Sequence, residues 1–246
     1  MQRLRVRYAK RGRLRFTSHR DFARAFERAL RQAEVPMAYS AGFSPHPKVS
    51  YAGAAPTGVA SEAEYLEIAL ADRREPGQVR TALDAALPPG LDVVEVVEAA
   101  PPSLADRIEA SHWRIELPDV DPASVEAAVA AFLAVDEAPV EKVTKDGRRT
   151  VDTRGPVLSA RVSASTKTDT APACAILDLV VRHVTPTVRP DDVLVALRQV
   201  GALSTPVTPM VTRLAQGLLD TATPADDEPY RLVDPFSDVA APVAAR

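Results

Sequence analysis

Among its 246 residues the sequence holds one cysteine, Cys174. That excludes an internal disulfide, and any zinc site or iron–sulfur cluster held by cysteines of this chain alone. Cys174 lies in the apolar run Ala173-Cys174-Ala175-Ile176-Leu177, where a buried, inert thiol is expected. No apolar stretch approaches the roughly 20 residues of a membrane-spanning helix. The first residues are rich in arginine and lack an apolar signal core, so a cytoplasmic protein with no membrane partner is expected. No phosphate loop, dinucleotide fingerprint or nucleophile elbow is found, and Gly53 and Gly58 read as turn glycines. Aromatic residues make up only 5% of the chain and there are four histidines.

The overall charge balance is slightly negative, and positive charge is concentrated in one place. The net charge is -3, yet the first fifty residues carry 12 Lys and Arg against 3 Asp and Glu. This local +9 leaves -12 for the rest of the chain. Clustered cations set up a field that net charge conceals, which points to an anionic partner for this region.

The arrangement sharpens that expectation. In Arg3-Leu4-Arg5-Val6-Arg7-Tyr8 the alternation predicts a strand with Leu4, Val6 and Tyr8 inward and the arginines outward. Arg13-Leu14-Arg15-Phe16 repeats the pattern, with Lys10-Arg11-Gly12 between them as a turn or as a bulge in one long strand. Ser18 then reads as a helix N-cap, with Asp21 reaching back as its capping-box partner. At 100° per residue the helix places Phe22, Ala25, Phe26, Ala29, Leu30 and Ala33 on one side. Arg20, Arg24, Arg28 and Arg31 fall nearly opposite. Such a stripe on one helix is ordinarily just a solvated face. Two strands and a helix all showing arginine outward favour anion binding.

Along the rest of the chain, Val35-Pro36 ends the helix and Ser40 to Pro47 forms a loop. Strands are expected at 48–52, 64–70 and 91–97, with a helix at 75–87. The order β-α-β-β-α-β is that of a ferredoxin-like split βαβ unit with an antiparallel sheet. From His112 the order restarts. A strand at 113–117 precedes a helix at 122–135 capped by Asp121-Pro122. A hairpin follows around Lys145-Asp146-Gly147, then strands at 157–163 and 175–181. A helix opening at Arg189-Pro190-Asp191-Asp192 runs through Gln199, before a last strand at 207–214. We therefore expect an α+β chain of two tandem ferredoxin-like halves, 1–100 and 111–218, followed by a flexible tail over 219–246.

Candidate sites concentrate at the basic end. His46 lies between two prolines in Tyr39-Ser40-Ala41-Gly42-Phe43-Ser44-Pro45-His46-Pro47-Lys48, a stiff backbone suited to pointing a group, or to a plain turn. His19 and His46 could serve as acid and base on a phosphodiester. A metal site would need them to converge with a carboxylate such as Asp21, which no spacing requires, and none is expected. Tyr39, Phe43 and Tyr51 could stack on bases, although core packing accounts equally well for Phe43 and Tyr51. The RNA- or anion-binding set is Arg5, Arg7, Arg13, Arg15, Ser18, His19, Arg20, Arg24, Arg28, Arg31, Tyr39, Ser40, Phe43, His46 and Lys48.

The ordered string Tyr8, Lys10, Gly12, Leu14-Arg15-Phe16, Ser18-His19, Asp21, Arg24, Glu27-Arg28-Ala29-Leu30 continues into Tyr39-Ser40, Gly42-Phe43-Ser44-Pro45-His46-Pro47-Lys48. With Pro56, Gly58, Ser61 and Glu64-Tyr65-Leu66 it closely resembles the radical SAM-associated, or radical SAM-linked, bacterial proteins, a domain of unknown function. The likeness covers roughly the first 200 residues and is most specific in the first 70. It implies a partner radical SAM enzyme that carries the iron–sulfur cluster and SAM, with no cofactor in this chain. The expected fold is also similar to that of RAMP-type RNA-binding proteins, an analogy at the level of fold. The leading expectation is a non-catalytic accessory protein presenting tRNA or rRNA to that enzyme. The alternatives are a metal-independent endoribonuclease using His19 and His46, and a protein adaptor that docks on the enzyme without RNA.

Overall fold

The computed structural model describes residues 1–144, 147–164, 174–222 and 230–237. The chain is α+β, with four α-helices among these residues and mostly antiparallel strands. It divides into two units, 1–108 with 215–246 and 109–214.

The first unit begins with β1 (Gln2–Lys10) and continues through α1 (His19–Gln32), β2 (Val49–Ala52), β3 (Ala60–Leu70), α2 (Pro76–Ala86) and β4 (Leu91–Glu98). Its strands lie in the order β4-β1-β3, with β2 also on β3, and all these pairings are antiparallel. The alternation read in β1 holds for its apolar residues. Leu4, Val6 and Tyr8 join Phe22, Phe26 and Leu30 of α1 and Val79 and Leu83 of α2 in one core. Two helices therefore cover one face of the sheet. The other face carries a smaller cluster of Ala63, Tyr65, Leu104 and Ile108, against which Phe236 packs.

Two expectations for this unit need correction. Gly12-Arg13-Leu14-Arg15-Phe16 forms a 3-10 helix, not a second strand. Gly12 takes φ +53, a left-handed conformation that ends β1, and Leu14 N–H then donates to the Arg11 carbonyl at 3.0 Å to close the turn. The stretch expected as a flexible tail also supplies structure. Here β10 (Met210–Asp220) extends beyond the expected 207–214, contributing its residues from Ala215 to the first unit. On it pairs β11 (Arg231–Val233), through Leu218 opposite Val233. A Cβ at Gly217 would collide with the Val233 backbone carbonyl, so glycine is what lets the two backbones approach. Replacing Gly217 with alanine should displace β11 and cost about 1–3 kcal/mol. Thermal unfolding checks this, and a variant melting like wild type would mean the approach is not needed.

The second unit runs β5 (Ala110–Pro118), α3 (Pro122–Leu133), β6 (Pro139–Thr144), β7 (Gly147–Asp152), β8 (Val157–Ala164), β9 (Cys174–Arg182), α4 (Pro190–Gly201) and the start of β10. The strand order is β10-β5-β9-β8, with β6 and β7 paired separately as a hairpin. Lys145 and Asp146 of the expected turn lie outside the described residues. Asp121 caps α3 by accepting from Ser124 N–H at 3.2 Å, and Asp192 accepts from Arg189 N–H at 2.7 Å at the start of α4. Cys174 is half-buried rather than buried.

Candidate nucleic-acid interface

Ser18 caps α1 as expected, while Asp21 takes the Ser18 hydroxyl instead of the backbone N–H of a capping box. Ser18 Oγ accepts from Asp21 N–H at 3.2 Å and donates to the Asp21 carboxylate at 2.7 Å. The helix then buries Phe22, Phe26, Ala29 and Leu30, leaving Arg20, Arg24, Arg28 and Arg31 exposed. No ion pair found among the described residues engages any of these four arginines. Asp21, Arg24, Glu27, Arg28 and Arg31 border a crevice of about 410 Å³ on this face. Glu27 is half-buried and close enough to Tyr51 to act on it. Burial, with the Glu27 charge adding to it, pushes the Tyr51 phenol up to about 12.

The strand arginines have a different fate, which overturns the pooling of strands and helix into one basic face. Because Leu4, Val6 and Tyr8 face the helices, Arg3, Arg5 and Arg7 project to the other side of the sheet. Arg5 is only 4% exposed. Its guanidinium donates to the carbonyls of Ala100 and Pro102 at 2.6 and 2.5 Å and pairs with Glu67 at 3.5 Å. Burial, and then the charge of Arg107, lowers its pKa from the ordinary arginine value. Arg7 pairs with Asp234 at 3.0 Å. Both are tied up with the segments that cover this face, so they leave the RNA-binding set. Lys10 is buried as well, its Nζ reaching the Pro56 carbonyl at 3.1 Å. Arg11 is fixed by Glu62 and by Asp92 at 2.7 Å, hydrogen bonds that hold its pKa above the ordinary arginine range.

Arg13 is exposed on the 3-10 helix. Arg15 is half-buried with its guanidinium 4.9 Å from the centre of the Phe16 ring. Phe16 is itself exposed, an aromatic that the sequence reading missed because a strand would have buried it. His19 is exposed and meets Tyr51 edge-on, ring centres 4.7 Å apart. Tyr51 also lies 6.1 Å from Phe22, which makes it a packing residue. The loop from Tyr39 to Pro47 is held at its base: Ser40 N–H donates to the His46 carbonyl at 2.9 Å, and His46 N–H donates to Ser40 Oγ at 3.0 Å. Beyond that clamp Phe43 stands fully exposed, with Tyr39, His46 and Lys48 also exposed. Core packing is therefore excluded for Phe43.

None of the described contacts brings His19 and His46 together. Among the described residues no three His, Cys, Asp or Glu side chains form a cluster that could hold a metal. A cavity of about 470 Å³, bordered by Arg3, Lys48, Ser50, Glu67 and Leu104, is separate from the α1 stripe. No helix among the described residues is long and apolar enough to cross a membrane.

The fold and the α1 stripe together define a class: an α+β protein that displays on one helix a row of exposed arginines with no ion-pair partner among the described residues. The chain belongs to a bacterial family of conserved uncharacterised proteins, DUF2344, whose model matches residues 3–190. No curated protein matches it. Among solved structures, an unknown protein from Galdieria sulphuraria is 17% identical, over 86% of this chain and 98% of its own, with a TM-score of 0.25. DyPB from Rhodococcus jostii RHA1 is 12% identical, over 80% of this chain and 83% of its own, with a TM-score of 0.22. Scores this low carry no argument about function.

Proposed function

We propose that this protein is a non-catalytic RNA-binding accessory factor that works beside a radical SAM enzyme. Each unit is read as a ferredoxin-like split βαβ element of the RAMP type, a reading favoured by the element order β-α-β-β-α-β of the first unit. The observation that carries the RNA reading is the row Arg20, Arg24, Arg28 and Arg31, exposed and without carboxylate partners among the described ion pairs. Steps of four along a helix rise about 6 Å, so successive guanidiniums can meet successive phosphates of one strand. Arginine suits this task because its planar fork grips phosphate oxygens two at a time. The enzyme partner rests on the resemblance of Tyr8 to Leu30 and Tyr39 to Lys48 to radical SAM-linked proteins, and the iron–sulfur cluster and SAM belong to that partner.

The test is to incubate the purified protein with labelled total RNA, tRNA and rRNA included, in the presence of EDTA. The expected outcome is a nuclease-sensitive complex whose RNA stays intact. Cleavage that His46→Ala abolishes would favour an endoribonuclease. Absence of any complex, with retention of the radical SAM enzyme on the immobilised protein, would favour a protein adaptor.

A further inference from the structure

The geometry points to a second contact beyond the arginine row: we infer that Phe43 is a platform on which one unpaired nucleobase stacks. The substrate is then RNA with a single-stranded or looped segment, not continuous duplex. This rests on the RNA reading and narrows it.

Three observations carry the inference. Phe43 is fully exposed, whereas a phenylalanine is ordinarily among the most buried of residues. It is not exposed through lack of local structure. The loop beneath it is closed by the paired Ser40–His46 bonds and the Tyr39–Pro47 bridge. Its base is tied to the sheet by Ala38 N–H to the Ala69 carbonyl at 2.8 Å and Ala69 N–H to the Lys48 carbonyl at 3.0 Å, and its two ends are joined by Lys48 N–H to the Ala38 carbonyl at 2.9 Å. The loop that carries the ring is thus closed at its base, which limits the backbone entropy lost on binding.

The surroundings choose the ligand. A docking surface for another protein would set an aromatic anchor within an apolar patch. Between Tyr39 and Lys48 the chain offers no leucine, isoleucine, valine or methionine, and the other exposed residues of the segment are Tyr39, Ala41, Gly42, Ser44, Pro45, His46 and Lys48, with no large aliphatic among them. Exposed aromatics on a loop that ends in a cation, Lys48, fit a base with its phosphate, because every base has a π-face and carries its own anion. Phe16, the other exposed phenylalanine, already has the Arg15 guanidinium over its ring, whereas no ring contact among the described residues involves Phe43. A duplex keeps its bases stacked inside and offers no face to Phe43.

The experiment uses the full chain, an RNA strand of about 20 nucleotides and the duplex it forms with its complement. Phe43→Ala should weaken single-strand binding by about 5- to 150-fold and leave duplex binding unchanged, while Phe43→Tyr retains affinity and Phe43→Leu does not. Phe43→Trp adds a fluorophore to a chain whose one native tryptophan, Trp113, is buried. Its emission should be quenched by the single strand and not by the duplex. If wild type binds RNA and Phe43→Ala binds the single strand as tightly as wild type does, the base platform is wrong while the arginine reading stands. If wild type binds neither form, both fall.

Discussion

Arg5→Ala is expected to destabilise the protein by about 3 kcal/mol and to lower its melting temperature by roughly 6–12 °C. The loss comes from what arginine holds in place. Removing the guanidinium leaves the Ala100 and Pro102 carbonyls without their charged donor, and takes from Glu67 the buried partner it meets at 3.5 Å. Hydrogen bonds from a charged group contribute about 1.5–3 kcal/mol each, and a stranded acceptor adds its own desolvation cost. Arg24→Ala, made on an exposed helix face, should shift stability by no more than about 0.5 kcal/mol. A pair of thermal melts decides it. Equal stability of the two variants would show that Arg5 does not hold the 100–102 segment.

The converse holds for RNA. Replacing Arg20, Arg24 and Arg28 together with alanine should leave the fold intact and weaken RNA binding by about 100-fold in 0.1 M salt. Each phosphate contact releases about 0.7 of a counterion from a single strand, and at that ionic strength each release is worth roughly five-fold in affinity. Arg5→Ala, if the protein is kept folded by low temperature, should bind RNA as wild type does. The two substitutions therefore separate arginines that build the first unit from arginines free to meet a ligand. A filter-binding assay at fixed salt, beside the melts, reads both.

The difference between these arginines could not be read along the chain. In the sequence Arg3, Arg5 and Arg7 alternate as neatly as the α1 arginines recur, and each pattern is compatible with solvent. What distinguishes them lies far away. Arg5 is satisfied by carbonyls at 100 and 102, and Arg7 by Asp234. Tyr230-Arg231-Leu232-Val233 and Phe236 are apolar only in patches within a stretch that lacks periodicity, and such patches do not say which sheet face they cover. The helix was legible because its signals are local: the Ser18 cap, the 3.6-residue spacing of Phe22, Phe26 and Leu30, and the opposing stripe all act within a few turns. The order of the main helices and strands was legible for the same reason, though β11 was not. Arg13 to Phe16 misled because alternation over four residues looks alike in a strand and in a tight helical turn, and Gly12 decided between them. Phe43 was ambiguous because a lone aromatic in a loop packs inward as often as not. Its exposure follows from a loop closed at Ser40 and His46, a pairing that the sequence does not announce.

The central claim is that the α1 arginines contact RNA phosphates, and the salt dependence of binding tests it most directly. Affinity for a single-stranded RNA is measured by filter binding across a series of salt concentrations, for wild type and for the Arg20, Arg24 and Arg28 triple alanine variant. If each arginine neutralises one phosphate, the log–log slope of the variant is shallower than that of wild type by about 2. Parallel lines of equal slope would contradict the account, since the three arginines would then release no counterions and touch no phosphate.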